Sequence, residues 1–79
     1  MGKNIIGRKM RIYRAMQSPP MSQADLMAKI NLNGWEISQS ILSKIENEER
    51  IVSDLELLTI SKSMGVDILW LLGEKETLI

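Results

Sequence analysis

With 79 residues the chain has room for one domain, and with neither cysteine nor histidine it has no disulfide, thiolate zinc site, cysteine nucleophile or commonest general base. Its charge balances at ten bases against ten acids, so no overall excess draws it to nucleic acid, and its apolar runs are too short for a membrane span or the core of a signal peptide. These limits argue against an enzyme, a metal centre and a bound cofactor, and for a soluble protein of the cytoplasm that needs no membrane.

The balance conceals a split. Met1 to Lys29 holds Lys3, Arg8, Lys9, Arg11, Arg14 and Lys29 against Asp25 alone, while Ile30 to Ile79 holds four bases against nine acids. A net +5 is thus followed by a net −5. Such a division can seat a basic surface on phosphates while an acidic one faces away, or it can simply solvate two surfaces.

Taken in order, Asn4 predicts the N-cap of a first helix running to about Gln17. Ile6, Met10, Tyr13 and Gln17 share one face, with Arg14 at its edge and Arg11 and Arg8 farther round, so Tyr13 belongs to the core. Ser18-Pro19-Pro20 stops the helix, because proline disfavours the α conformation before it and donates no N–H. Ser22-Gln23-Ala24-Asp25 has the form of a capping box that opens a short second helix with apolar Leu26, Met27 and Ile30. Gln23 sits at its first turn, where free N–H groups and the positive dipole end favour a nearby phosphate; a solvated glutamine is the plainer alternative.

Asn31 to Ile37 forms the next connection, with Asn33-Gly34 as its turn signal. Trp35 either anchors this loop on apolar surface or touches a DNA backbone or partner chain. Ser38 then predicts the start of a third helix. At about 100° per residue, Gln39, Ser40, Ser43, Lys44 and Asn47 fall within an arc of roughly 140°, and Ile41, Leu42 and Ile45 form a separate apolar arc. Amides, hydroxyls and a cation are the groups that read base edges and phosphates in a major groove, although an ordinary amphipathic surface helix has the same outline. Glu48 and Glu49 read as a solvated charge run, since nothing around them completes a metal or acid–base site.

Ser53-Asp54-Leu55-Glu56 is a second capping box, opening a fourth helix in which Leu57, Ile60 and Met64 recur at helical spacing. Gly65 closes it, followed by the apolar contact of Val66. Asp67 caps a last helix, Ile68 to Leu72, ended by Gly73, and residues 74–79 are expected to fray. No period-two pattern occurs. The fold class predicted is all-α, a five-helix domain over residues 1–79 with a core from about 5 to 73.

The segments I-G-R-K-M-R-I-Y-R at Ile6 to Arg14, S-Q-A-D-L at Ser22 to Leu26, I-S-Q-S-I-L-S-K-I-E-N at Ile37 to Asn47 and M-G-V-D-I-L-W-L-L-G at Met64 to Gly73 resemble, in that order, the phage repressor and Cro-like (XRE-type) helix-turn-helix regulators. The resemblance covers nearly the whole chain. It implies a non-enzymatic regulator of transcription that binds double-stranded DNA, commonly as a homodimer on a two-fold operator, with helices two and three as the helix-turn-helix; a repressor is the expectation, and the sequence does not separate it from an activator. It also implies that Gln23 lies near a phosphate at the head of the recognition helix, that Gln39, Ser40, Ser43 and Lys44 face the groove, that Asn47 and Arg50 lie beside the backbone, and that Arg14 pairs with Glu46. Two departures stand out: extra residues around Ser18-Pro19-Pro20, and a connection from Asn31 to Ile37 longer than the usual turn of about three or four residues.

On this basis Gln39 is expected to bond an adenine edge, Lys44 a guanine edge or phosphate, and Ile41 a thymine methyl. Gln23, Asn47, Arg50 and helix-one bases such as Arg11 are expected to hold phosphates. Trp70 with Leu78 and Ile79 is a candidate dimer patch or else packs within the chain. The alternative from another class is a protein-interaction module, such as an antitoxin that binds a protein toxin.

Overall fold

The computed structural model describes residues 2–79, and among these there are five helices and no strand. They are α1 (Gly7–Met16), α2 (Gln23–Leu32), α3 (Gln39–Glu46), α4 (Asp54–Met64) and α5 (Ile68–Leu71). Side chains at the N-caps of four of them take up free N–H groups: Ser22, Ser38, Ser53 and Asp67 accept from Asp25, Ile41, Glu56 and Leu69 respectively. At Ser22 and Ser53 the bond is returned by Asp25 and Glu56, completing both capping boxes.

The first helix differs from expectation at its start. Ile6, without a side-chain cap bond, occupies the N-cap position, and α1 begins at Gly7. Asn4 still serves the first turn, because its Oδ1 accepts from the Ile6 and Gly7 N–H groups at 3.0 Å each. Its Nδ2 donates in the other direction, to the carbonyls of Ile45 at 3.1 Å and Arg50 at 2.8 Å. One amide therefore caps α1 and binds the N-terminal segment to the end of α3 and the chain beyond it. Gly7 makes that approach possible: a Cβ there would stand 2.4 Å from the Ile45 carbonyl oxygen and 2.6 Å from that of Glu46.

The second correction concerns the long connection. α2 continues through Leu32, so the connection is residues 33–38, and Gly34 rather than Asn33 takes the positive φ. Asn31, still helical, turns its Nδ2 to the Trp35 carbonyl at 2.8 Å and so holds the returning chain. At the far end of α3, Glu48 adopts a left-handed φ of 60°. The Glu49 N–H donates to the Lys44 carbonyl and the Glu48 N–H to that of Ile45, a Schellman closure with glutamate in the place where glycine is favoured.

Glu48 is not the solvated charge expected. Half-buried, it places Oε2 3.3 Å from the Arg8 N–H, while its carbonyl accepts from the Lys3 N–H at 2.8 Å. Its carboxylate faces the positive end of α1, a favourable position for an anion. Glu49, by contrast, is exposed.

The core gathers the apolar stripe of every helix: Ile6, Met10 and Tyr13 from the first, Leu26 and Ile30 from the second, Leu42 and Ile45 from the third, Ile60 and Met64 from the fourth, and Trp70 and Leu71 from the fifth. Ile37 joins them from the connection. α2 packs on α4 and α3, α1 on α3, and α5 on α4. With a radius of gyration of 11.4 Å against about 12 Å for a compact domain of this length, the described residues form one compact body. Within residues 74–79, where fraying is expected, two residues make contacts: Leu78 packs on the core and its carbonyl accepts from the Asp67 N–H at 2.6 Å, and Lys75 pairs with Asp67 at 2.9 Å. Ile79 alone of the suggested patch stands open to solvent, whereas Trp70 is buried beneath the Lys9 ammonium, 4.8 Å from its ring centre.

Candidate nucleic-acid interface

The exposed face of α3 follows from its start and its burial. Ser38 fixes the first turn by accepting the Ile41 N–H at 3.2 Å, and the helix then turns Leu42, Ile45 and Glu46 into the body. Gln39, Ser40, Lys44 and Asn47 are left exposed, with Ile41 and Ser43 half-buried at the margins. Amides, hydroxyls and the Lys44 ammonium therefore share one solvent-facing surface. Lys44 has no ion-pair partner among the described residues.

Beneath that surface lies a buried carboxylate. Glu46 is 1% exposed, and Arg14 grips it with two parallel bonds of 2.7 Å, Nε to Oε2 and Nη2 to Oε1. Such a two-pronged contact is the geometry that makes a buried charge tolerable. The same contact raises the Arg14 pKa further, against the opposing effect of its burial. Arg14 Nη1 also donates to the Met21 carbonyl at 3.0 Å, fixing the chain just before the Ser22 cap.

Gln23 joins this pair to the exposed face. Its Nε2 donates to Glu46 Oε1 at 2.8 Å, and its Oε1 accepts from Ser43 Oγ at 3.0 Å and from Gln39 Nε2 at 3.4 Å. A continuous line of polar contacts thus runs from Arg14 in α1, through Glu46 and Gln23, to two side chains of the α3 surface. Gln39 is exposed, and with one N–H on Gln23 its carbonyl oxygen and second N–H have no partner among the described residues, the two groups an adenine edge requires.

The residues expected on phosphates are distributed differently. Asn47 is exposed at the end of α3, Arg11 is exposed on α1, and Gln23 is half-buried with its amide engaged as described. Arg50 turns its terminal nitrogens inward, Nη1 to Glu56 Oε1 at 3.0 Å and Nη2 to Glu56 Oε2 at 3.1 Å, with its guanidinium carbon 5.7 Å from the centre of the Trp35 ring. This contact with Arg50 is the main reason that the Glu56 carboxyl lies below its ordinary range.

Sequence reasoning missed Asn31 and Glu56 as parts of this assembly. Asn31 lay inside the segment expected to be loop, and Glu56 already had a local role as the returning member of a capping box. A glutamate in that role has a second oxygen to spare, which is the signal that an arginine nearby in sequence could have prompted.

A family model described as helix-turn-helix matches residues 12–71, from within α1 to the end of α5. No curated protein and no solved structure matches the chain. Among the described residues no helix is long and apolar enough to cross a membrane. With five helices in the expected order, α2 and α3 packed together and a polar α3 face turned outward, the chain belongs to the XRE-type helix-turn-helix family of DNA-binding regulators.

Proposed function

We propose that this domain is a sequence-specific repressor of the cytoplasm that binds operator DNA as a homodimer, with the N-terminal turns of α3 in the major groove. The observation that carries the reading is the exposed α3 face backed by Gln23, which holds Gln39 and Ser43 from behind and leaves the outer groups of Gln39 available. Gln39 bonds an adenine edge, Lys44 reaches a guanine edge or phosphate, Ile41 meets a thymine methyl, and Ser40 and Ser43 supply shorter polar contacts. Asn47, Arg11 and the first turn of α2 around Gln23 seat the duplex through its phosphates.

Selection of bound duplexes from a random pool tests this reading. The expected product is a palindrome whose half-sites lie about one helical turn apart, as a two-fold pair of recognition helices requires. On that duplex Gln39→Ala costs about 1 to 3 kcal/mol and relaxes preference at one base pair, whereas Arg11→Ala weakens selected and scrambled DNA alike and lowers the salt slope by about one. Equal losses on both duplexes for Gln39→Ala remove the base-reading role.

A further inference from the structure

The connection between α2 and α3 is held by a cluster of three side chains from three parts of the chain. Trp35 lies in the connection, half-buried against the core, with its carbonyl held by Asn31 and by the Ile37 N–H at 2.8 Å. Arg50 follows α3, and Glu56 lies in the first turn of α4. The Arg50 guanidinium sits between them, over the Trp35 ring on one side and forked onto both Glu56 oxygens on the other. Glu56 is itself fixed, since its Oε1 also accepts the Ser53 N–H at 3.0 Å.

We propose that Trp35, Arg50 and Glu56 form a bracket that sets the angle of α3, so that Arg50 acts on DNA recognition as a positioning residue and not as a phosphate ligand. The bracket holds both ends of α3: Trp35 is three residues before the Ser38 cap, and Arg50 is three residues beyond Asn47. Both are referred to one fixed point at the start of α4. The Arg50 backbone is held as well, its carbonyl accepting from Asn4 at 2.8 Å. An arginine free to clamp phosphate would present its fork to solvent; this one has both terminal nitrogens on a carboxylate, a two-pronged contact that a guanidinium makes and an ammonium cannot, and its guanidinium carbon lies over an indole.

The inference rests on the DNA-binding reading, and its test separates the two. The full chain is titrated with a duplex recovered by selection and with a scrambled duplex of equal length, after melting curves establish that each variant is folded. Arg50→Lys keeps a charge that can reach phosphate but cannot make the two-pronged contact with Glu56 that holds the side chain over Trp35. The bracket predicts a loss on the order of tenfold on the selected duplex, as for one misaligned base contact, little change on the scrambled one, and an unaltered salt slope. It also predicts a shift in Trp35 emission in the DNA-free protein, isolated by difference from Trp35→Phe.

Glu56→Gln opens the same fork while releasing Arg50 towards the solvent, so the bracket predicts the same selective loss. A phosphate role predicts the reverse: near wild-type binding by Arg50→Lys, and equal or tighter binding on both duplexes by Glu56→Gln. That pattern, or an unmoved Trp35 emission in Arg50→Lys, overturns the bracket. Failure to recover any duplex overturns the DNA-binding reading on which it rests.

Discussion

Gly7→Ala puts two physical rules in opposition. On helix propensity alone the change should help, since alanine is favoured over glycine in a helix by about 1 kcal/mol. The packing says otherwise. The added methyl would lie 2.4 Å from the Ile45 carbonyl oxygen and 2.6 Å from that of Glu46, roughly 1 Å inside ordinary contact with each. Both atoms are backbone in the last turn of α3, so no side chain can rotate away, and α1 and α3 must separate. Overpacking of this kind costs about 1 to 3 kcal/mol, and the close approach at two backbone atoms puts the net effect in that range after the propensity gain. For a domain of this size the melting temperature should fall by roughly 4 to 8 °C per kcal/mol. Thermal melts followed by far-ultraviolet circular dichroism, with urea titrations to check the slope, measure it directly. A variant as stable as the parent, or more so, would show that the α1–α3 junction yields freely and would refute the close-contact argument.

Three further results are expected. Glu46→Leu strands the Arg14 guanidinium and should destabilise by about 3 kcal/mol, at the lower end for a broken buried pair because Arg14 is 19% exposed; the double variant Arg14→Met, Glu46→Leu should recover most of it, and a double-mutant cycle in urea reads the difference. Stability should decline as pH falls below the ordinary glutamate value of 4.5. The Arg50 contact holds Glu56 below that value in the folded state, so its contribution is present above the unfolded pKa and is lost as pH falls through the folded one. Glu56→Gln should therefore flatten part of the acid limb, with Asp67, lowered chiefly by Lys75, supplying another part. Leu78→Ala should lower the melting temperature measurably, because Leu78 packs on the core and its carbonyl accepts from the Asp67 N–H.

What the sequence displays well is what depends on neighbours a few positions apart. Ser22 with Asp25 and Ser53 with Glu56 are reciprocal bonds within one turn, and the apolar stripes of α1 and α4 come from a single period, so helix starts and most of the core are visible before any tertiary structure. Asn4 marks the limit of that logic. Its oxygen has the local role expected near a helix start, but the reach of its amide nitrogen across 41 and 46 residues follows only from how α1 meets the end of α3. Glu48 was obscured for the same reason, since neither its left-handed backbone nor the helix start it faces can be inferred from a run of acids.

The α3 face shows the division within one helix. Periodicity separates Gln39, Ser40, Lys44 and Asn47 from Leu42 and Ile45, because that needs only the turn angle. The link from Ser43 and Gln39 through Gln23 to Glu46 depends on the packing of α2 against α3, so it was invisible beforehand. Arg14 and Glu46 could be picked out as charges at the edges of apolar faces, yet periodicity did not name either as the other's partner.

If α3 reads bases as proposed, the position of Gln23 also governs how readily this surface can change its preference. Glu46 Oε1 accepts from both Arg14 and Gln23, so the network behind the exposed α3 face and the buried ion pair share one oxygen atom. Substitution at Gln23 removes a donor from a buried carboxylate, and substitution at Ser43 removes a restraint on the amide that supplies it; new specificity at either site is coupled to folding. Ser40 and Lys44 have no such side-chain ties among the described residues and lie exposed. On the proposed reading, drift in base preference should therefore begin at positions 40 and 44, where a new operator can be acquired without loosening the core.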